Sequence, residues 1–105
     1  SWANDFAYFT ISALSIEDRR THQRDLLAFY LAELGRRGIA APAFDEAWQL
    51  YRAYAFHGIG WVCCKPEMQS EANCAAIAER FAAALLDLDS IAAVQAGPPA
   101  AARAA

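Results

Sequence analysis

Tyr51, Tyr54, His57 and Trp61 stand at spacings that a helix brings toward one side, with Gly58 among them. Tyr51, Tyr54, Gly58 and Trp61 occupy i, i+3, i+7 and i+10, which is one helical face, and His57 borders it. An aromatic stripe with a glycine gap can stack on a flat or apolar molecule, and the interior of a helical bundle uses the same residue types. His57 also lies seven residues before Cys64, but two ligands do not close a zinc site and adjacent Cys63 and Cys64 point to different faces, so no metal is expected. Asp87 and Asp89 form a carboxylate pair only on paper, because Asp-Leu-Asp reads as a turn at a helix end. Asp5 reads as an N-cap carboxylate. Arg52, in a mostly apolar segment, needs a carboxylate or backbone partner, and a salt bridge is expected. The mixed-sign run from Glu17 to Asp25, with Arg19, Arg20 and Arg24, reads as a solvated face.

The elements that must carry these residues are helices. Trp2 to Leu14 reads as a short helix with Phe6, Phe9 and Ala13 at helical spacing and Asn4 or Asp5 as its cap. Ser15-Ile16-Glu17-Asp18 approximates a capping box and opens a helix to about Arg36, with an apolar stripe at Leu26, Leu27, Tyr30 and Leu34. Gly35 and Gly38 supply its stop, and Pro42 disfavours helix just before it. A third helix, from Phe44 or Asp45 to Cys63 or Cys64, is apolar on more than one side and belongs at the centre of a bundle. Gly58 and Gly60 weaken it by about 1 kcal/mol each relative to Ala, which packing or function must offset. Lys65-Pro66-Glu67 ends it. A fourth helix runs from Ser70 or Glu71 to about Leu86, with Glu79 and Arg80 outward. A turn over residues 87–90 leads into a last short helix to about Gln95. The expected architecture is all-α with four to five helices over residues 1–96, and residues 97–105 read as a disordered tail.

Composition excludes several functions. The chain has 105 residues, of which 57% are hydrophobic and 20% charged, so it is no disordered arm. About a quarter of the residues are Ala. A net charge of −3 supplies no field to gather nucleic acid or anionic lipid, and neither partner is expected. A helix-turn-helix regulator is disfavoured because no helix carries a basic, base-reading face. Gly, Lys and Pro interrupt the longest apolar run before it reaches membrane-spanning length. Three cysteines form no disulfide framework and suit a reducing, cytoplasmic setting.

Several segments, taken in order, carry a resemblance. Asn4-Asp5-Phe6-Ala7-Tyr8-Phe9 resembles the D-[LF]-A-[YF]-F segment of aminoglycoside-phosphotransferase-like kinases. Ser12 to Arg20 resembles the "sLs.edRR" stretch of the related ecdysteroid-kinase-like branch, and Trp48-Gln49-Leu50-Tyr51-Arg52 resembles its "cW..YR" motif. Glu79-Arg80-Phe81 through Leu86-Asp87-Leu88-Asp89 is similar to its closing helix.

The resemblance implies the C-terminal helical subdomain of a small-molecule phosphotransferase. Such enzymes use a catalytic-loop Asp as base, an Asn and a second Asp on Mg²⁺, and a Lys on the ATP phosphates. The motifs H-G-D-x-x-x-x-N and D-W or D-F-G-like would lie upstream of Trp2, so this chain alone is expected to bind neither ATP nor Mg²⁺. By the resemblance, Asp5 braces the catalytic loop, and Tyr51, Tyr54, His57 and Trp61 are candidates for the wall of a pocket taking a small alcohol acceptor. The implied partners are the upstream lobes of the same protein. The competing reading is a free-standing helical module that binds an apolar ligand or pairs as a homodimer over the face a missing lobe would cover.

Overall fold

A computed structural model describes residues 2–64 and 71–97, with the side chains of 60–64 and 71 outside the description. Lys65-Pro66-Glu67 and the tail beyond Gly97 lie outside the described residues. The described chain forms five helices and no strand: α1 (Trp2–Ala13), α2 (Ile16–Arg36), α3 (Phe44–Cys64), α4 (Glu71–Asp87) and α5 (Ser90–Ala96).

Each helix end follows local chemistry. Ser15 caps α2, its hydroxyl accepting from the Asp18 amide at 3.2 Å. The other end of α2 closes at Gly38, whose φ of +75° suits a residue without a Cβ. From there the Ile39 amide reaches back to the Leu34 carbonyl at 2.9 Å. Helix α1 begins at Trp2, so neither Asn4 nor Asp5 is its cap; Asp5 stands on an exposed face instead. Arg80, expected outward, turns back to α1, and its guanidinium donates to the Ser12 carbonyl at 2.5 Å. That placement satisfies a free carbonyl and puts a cation at the negative end of the helix.

Helix α3 is central and packs against all four others. The core joins Phe6, Ala7 and Ile11 of α1, Leu27 of α2, Tyr51 and Ala55 of α3, and Phe81 and Ala84 of α4. Buried alanines on α1, α3 and α4 let the helix axes approach closely. Gly58 shows the same economy of space: a Cβ there would sit 2.7 Å from Cζ of Phe81, so the glycine admits the ring. Its cost in helix propensity is therefore offset by packing.

Candidate functional site

The aromatic stripe on α3 does not form one surface. Tyr51 is fully buried, its ring edge-on to Phe6 (5.4 Å) and tilted against Trp48 (5.3 Å). Gly58 is buried under Phe81. Tyr54 and His57 turn toward α5, with ring centroids 5.4 Å apart. Together with Gln49, Leu50, Ala53 and Val94 they line a hollow of about 200 Å³. The structure thus brings Tyr54 and His57 together and leaves Tyr51 out, while the Trp61 side chain lies outside the described residues. The stripe divides because a 21-residue helix that meets four others buries each part of its surface that faces a neighbour and leaves the rest at the rim. His57 is exposed and touches the rings of Tyr54 and Phe56.

The main polar constellation lies where the sequence suggested a solvated face. Arg19 and Gln23 are buried, and this corrects the expectation for the run from Glu17 to Asp25. One Arg19 amino group donates to Asp87 Oδ2 at 2.6 Å and the other to Gln23 Oε1 at 3.2 Å. Arg20 adds a fork to the same carboxylate, 2.6 Å to Oδ2 and 3.1 Å to Oδ1. The Tyr51 hydroxyl donates to Gln23 Oε1 at 2.7 Å, which ties α3 into the node. Arg20's hydrogen bonds hold the Asp87 carboxyl below its ordinary range against the opposing effect of burial, and Arg19 helps. Burial pushes the Tyr51 hydroxyl well up, with the Arg19 charge opposing. Neutralised by two guanidinium groups, Asp87 is unsuited to act as a proton acceptor. A signal for the node was present in the sequence. Arg19, Gln23 and Leu27 stand at i, i+4 and i+8, so extending the stripe backward from Leu27 lands on both polar residues.

Arg52 takes backbone partners in place of the expected salt bridge. No carboxylate meets it among the described residues; its Nε donates to the Leu88 carbonyl at 2.6 Å and one amino group to the Asp89 carbonyl at 3.2 Å. The other amino group donates to Gln49 Oε1, and Gln49 Nε2 donates to the Ala93 carbonyl. The fork therefore holds the corner between α4 and α5, where Asp89 adopts the left-handed conformation (φ +47°). The Asp89 carbonyl also accepts the Ala93 amide at 3.2 Å, and the planar guanidinium reaches it and the Leu88 carbonyl at once.

A second depression opens between α1 and α2. Phe6, Phe9, Leu26, Phe29 and Tyr30 line about 320 Å³ of space, with Asp5 and Thr10 beside them. Phe9, expected on the packed face, is 66% exposed, and Phe29 is 67% exposed. The packed face of α1 is made by Ala3, Phe6, Ala7, Thr10 and Ile11 instead.

Among the described residues no three His, Cys, Asp or Glu side chains are grouped to hold a metal ion, and Cys74 is a free thiol. No family model, no curated protein and no solved structure matches this chain.

Proposed function

We propose that this chain is the C-terminal helical part of a kinase-like phosphotransferase that moves the γ-phosphoryl of ATP to a hydroxyl of a small molecule. Its task in that reading is to scaffold the catalytic lobes and supply one wall of the acceptor pocket. One observation carries the reading: the segments that bear the resemblance lock onto one another. Arg19 and Arg20 from the second segment both bind the carboxylate of Asp87 from the last. Arg52 from the third segment donates to the Leu88 carbonyl of the last, and Tyr51 beside it donates to Gln23, one helical turn beyond the second. Motif residues that recur in order are then explained as the fasteners of one scaffold. Tyr54 and His57, on the hollow between α3 and α5, are the candidates for the pocket wall.

Phosphoryl transfer needs a positioned base and Mg²⁺ to offset charge on the phosphates, and the proposal assigns both to upstream lobes. The test is to express the chain joined to its own upstream coding sequence and to follow ADP release and the ³¹P spectrum with a panel of alcohols. Transfer that requires the Asp of an upstream H-G-D-x-x-x-x-N motif, with Tyr54→Ala raising KM for the alcohol but not for ATP, is the expected result. An upstream sequence without these motifs, or a joined protein that transfers nothing, overturns the reading. A free-standing ligand-binding module is the second reading, favoured by the open aromatic groove between α1 and α2.

A further inference from the structure

The groove between α1 and α2 combines two features that single out one ligand chemistry. Its walls are aromatic: Phe6, Phe9, Phe29 and Tyr30. Tyr30 is held in place by Trp2, stacked at 5.9 Å, and by Phe6 at 5.5 Å. Beside these rings stands the carboxylate of Asp5, which takes part in no ion pair among the described residues. The four arginines of α2 are engaged elsewhere. Arg19 and Arg20 hold Asp87, Arg24 lies over the Trp48 ring at 4.2 Å, and Arg36 pairs with Glu33.

The negative faces of aromatic rings attract an ammonium group, and the Asp5 carboxylate at their edge adds a full charge of the right sign. An anionic ligand meets repulsion there, and a neutral one removes water from Asp5 without replacing it. We propose that this groove binds a small molecule bearing one ammonium group on an apolar body. The ammonium sits against Asp5, and the apolar body lies between Phe9 and Phe29. The volume is at the low end for small-molecule sites, which admits a ring and a short chain rather than a partner helix. This goes beyond the phosphotransferase reading and does not rest on it: it gives Asp5 to a ligand, where that reading gives it to the catalytic loop.

The test uses three probes of one shape on the 105-residue chain: 4-phenylbutylammonium, 4-phenylbutan-1-ol and 4-phenylbutanoate. Binding is followed by amide shifts in ¹⁵N-labelled protein. The expected order is ammonium, then alcohol, then carboxylate, with the first two separated by about fivefold in Kd, as for a partly exposed ion pair. The shifts should centre on residues 5–10 and 26–30. Asp5→Asn should bring the ammonium down to the alcohol's affinity, and Phe9→Ala should weaken all three probes together. Both residues are exposed, so circular dichroism of each variant should match the parent. Equal affinity for the three probes, a preference that survives Asp5→Asn, or no shifts in the two segments overturns the proposal. So does sedimentation showing a dimer whose formation perturbs the same amides, because a second copy would then be the occupant.

Discussion

Removing the Asp87 carboxylate should be the most damaging single change in the polar node, and the structure indicates how damaging. The Arg19 side chain is 1% exposed, and its strongest contact is the 2.6 Å bond to Asp87. Without the carboxylate its charge faces only neutral groups, Gln23 among them, and its Nε already lacks a partner. Breaking a buried pair from one side costs about 3–5 kcal/mol, because the other charge stays buried without compensation. Asp87 is 25% exposed, so water can partly replace it and the lower end, about 3 kcal/mol, applies. Helix polarity adds nothing to resist the change. Arg19 stands in the first turn of α2 and Asp87 at the last residue of α4, each at the end where its charge is disfavoured.

Urea unfolding of Asp87→Asn, followed by circular dichroism at pH 7, should therefore show a loss of about 3 kcal/mol, retained at high salt because the Arg19 pair is shielded. Arg20→Ala, on the solvent side of the same carboxylate, should show the smaller loss and a clear salt dependence. Arg19→Met combined with Asp87→Asn should be more stable than Asp87→Asn alone, since no buried charge is left. A loss below about 1 kcal/mol for Asp87→Asn, the range of surface ion pairs, would refute the reasoning. So would a double variant no better than the single one. The pH response has a definite sign. The folded-state pKa of Asp87 is lowered, so its contribution is complete above the unfolded value near 4 and is lost as pH falls through the folded value. Acid unfolding of the parent should flatten in Asp87→Asn relative to neutral pH.

Gly58→Ala gains about 1 kcal/mol of helix propensity but drives a methyl into the buried Phe81 ring at a cost of about 1–3 kcal/mol, so a net loss is expected in the same urea assay. Tyr51→Phe should lose about 1 kcal/mol at pH 7 with its bond to Gln23, and absorbance at 295 nm should show in the parent a tyrosine ionising above the ordinary range that this substitution removes. Because the Tyr51 pKa is raised, its contribution is present below the unfolded value near 10 and is lost as pH rises beyond it. Arg52→Lys replaces a fork by a single ammonium, and amide exchange within residues 88–96 should accelerate before that of α3. ATP with Mg²⁺ should leave the Tm of this chain unchanged; a clear rise would contradict the assignment of nucleotide ligands to upstream lobes.

Periodicity and punctuation made the helices legible. Ser15 and Gly38 each have a local cause, and the bounds of α2 follow from it directly. The sides of those helices were harder to read, because one chain segment does not reveal its neighbours. Phe9 and Phe29 carry the same apolar signal as Phe6 and Phe81, yet the first pair faces outward and the second is buried. Arg19 and Gln23 carry a polar signal and are buried because a carboxylate 68 positions along from Arg19 and a tyrosine hydroxyl on α3 meet them there. Arg52 was legible as an arginine in need of a partner, but the partner is a corner's carbonyls, which no residue type announces.

That division bears on function. The α3 stripe is an attractive ligand surface in projection, and packing divides it between core and rim, leaving Tyr54 and His57 on a shallow hollow. The α1–α2 groove drew no attention as a pattern because its parts come from two helices, Asp5 and Phe9 on one, Leu26 and Phe29 on the other. Burial of large apolar side chains stabilises a small domain by about 1.5–3 kcal/mol each, so two exposed phenylalanines forgo stability that this fold could otherwise have gained. A scaffold role accounts for the buried node, and for that exposure where an upstream lobe covers the two rings; ligand recognition accounts for it in the chain by itself. Substituting Phe9 and Phe29 together by Gln separates the two: a purely structural chain should lose little stability and no binding, whereas a recognition face should lose its ligand while the node-dependent unfolding midpoint stays in place.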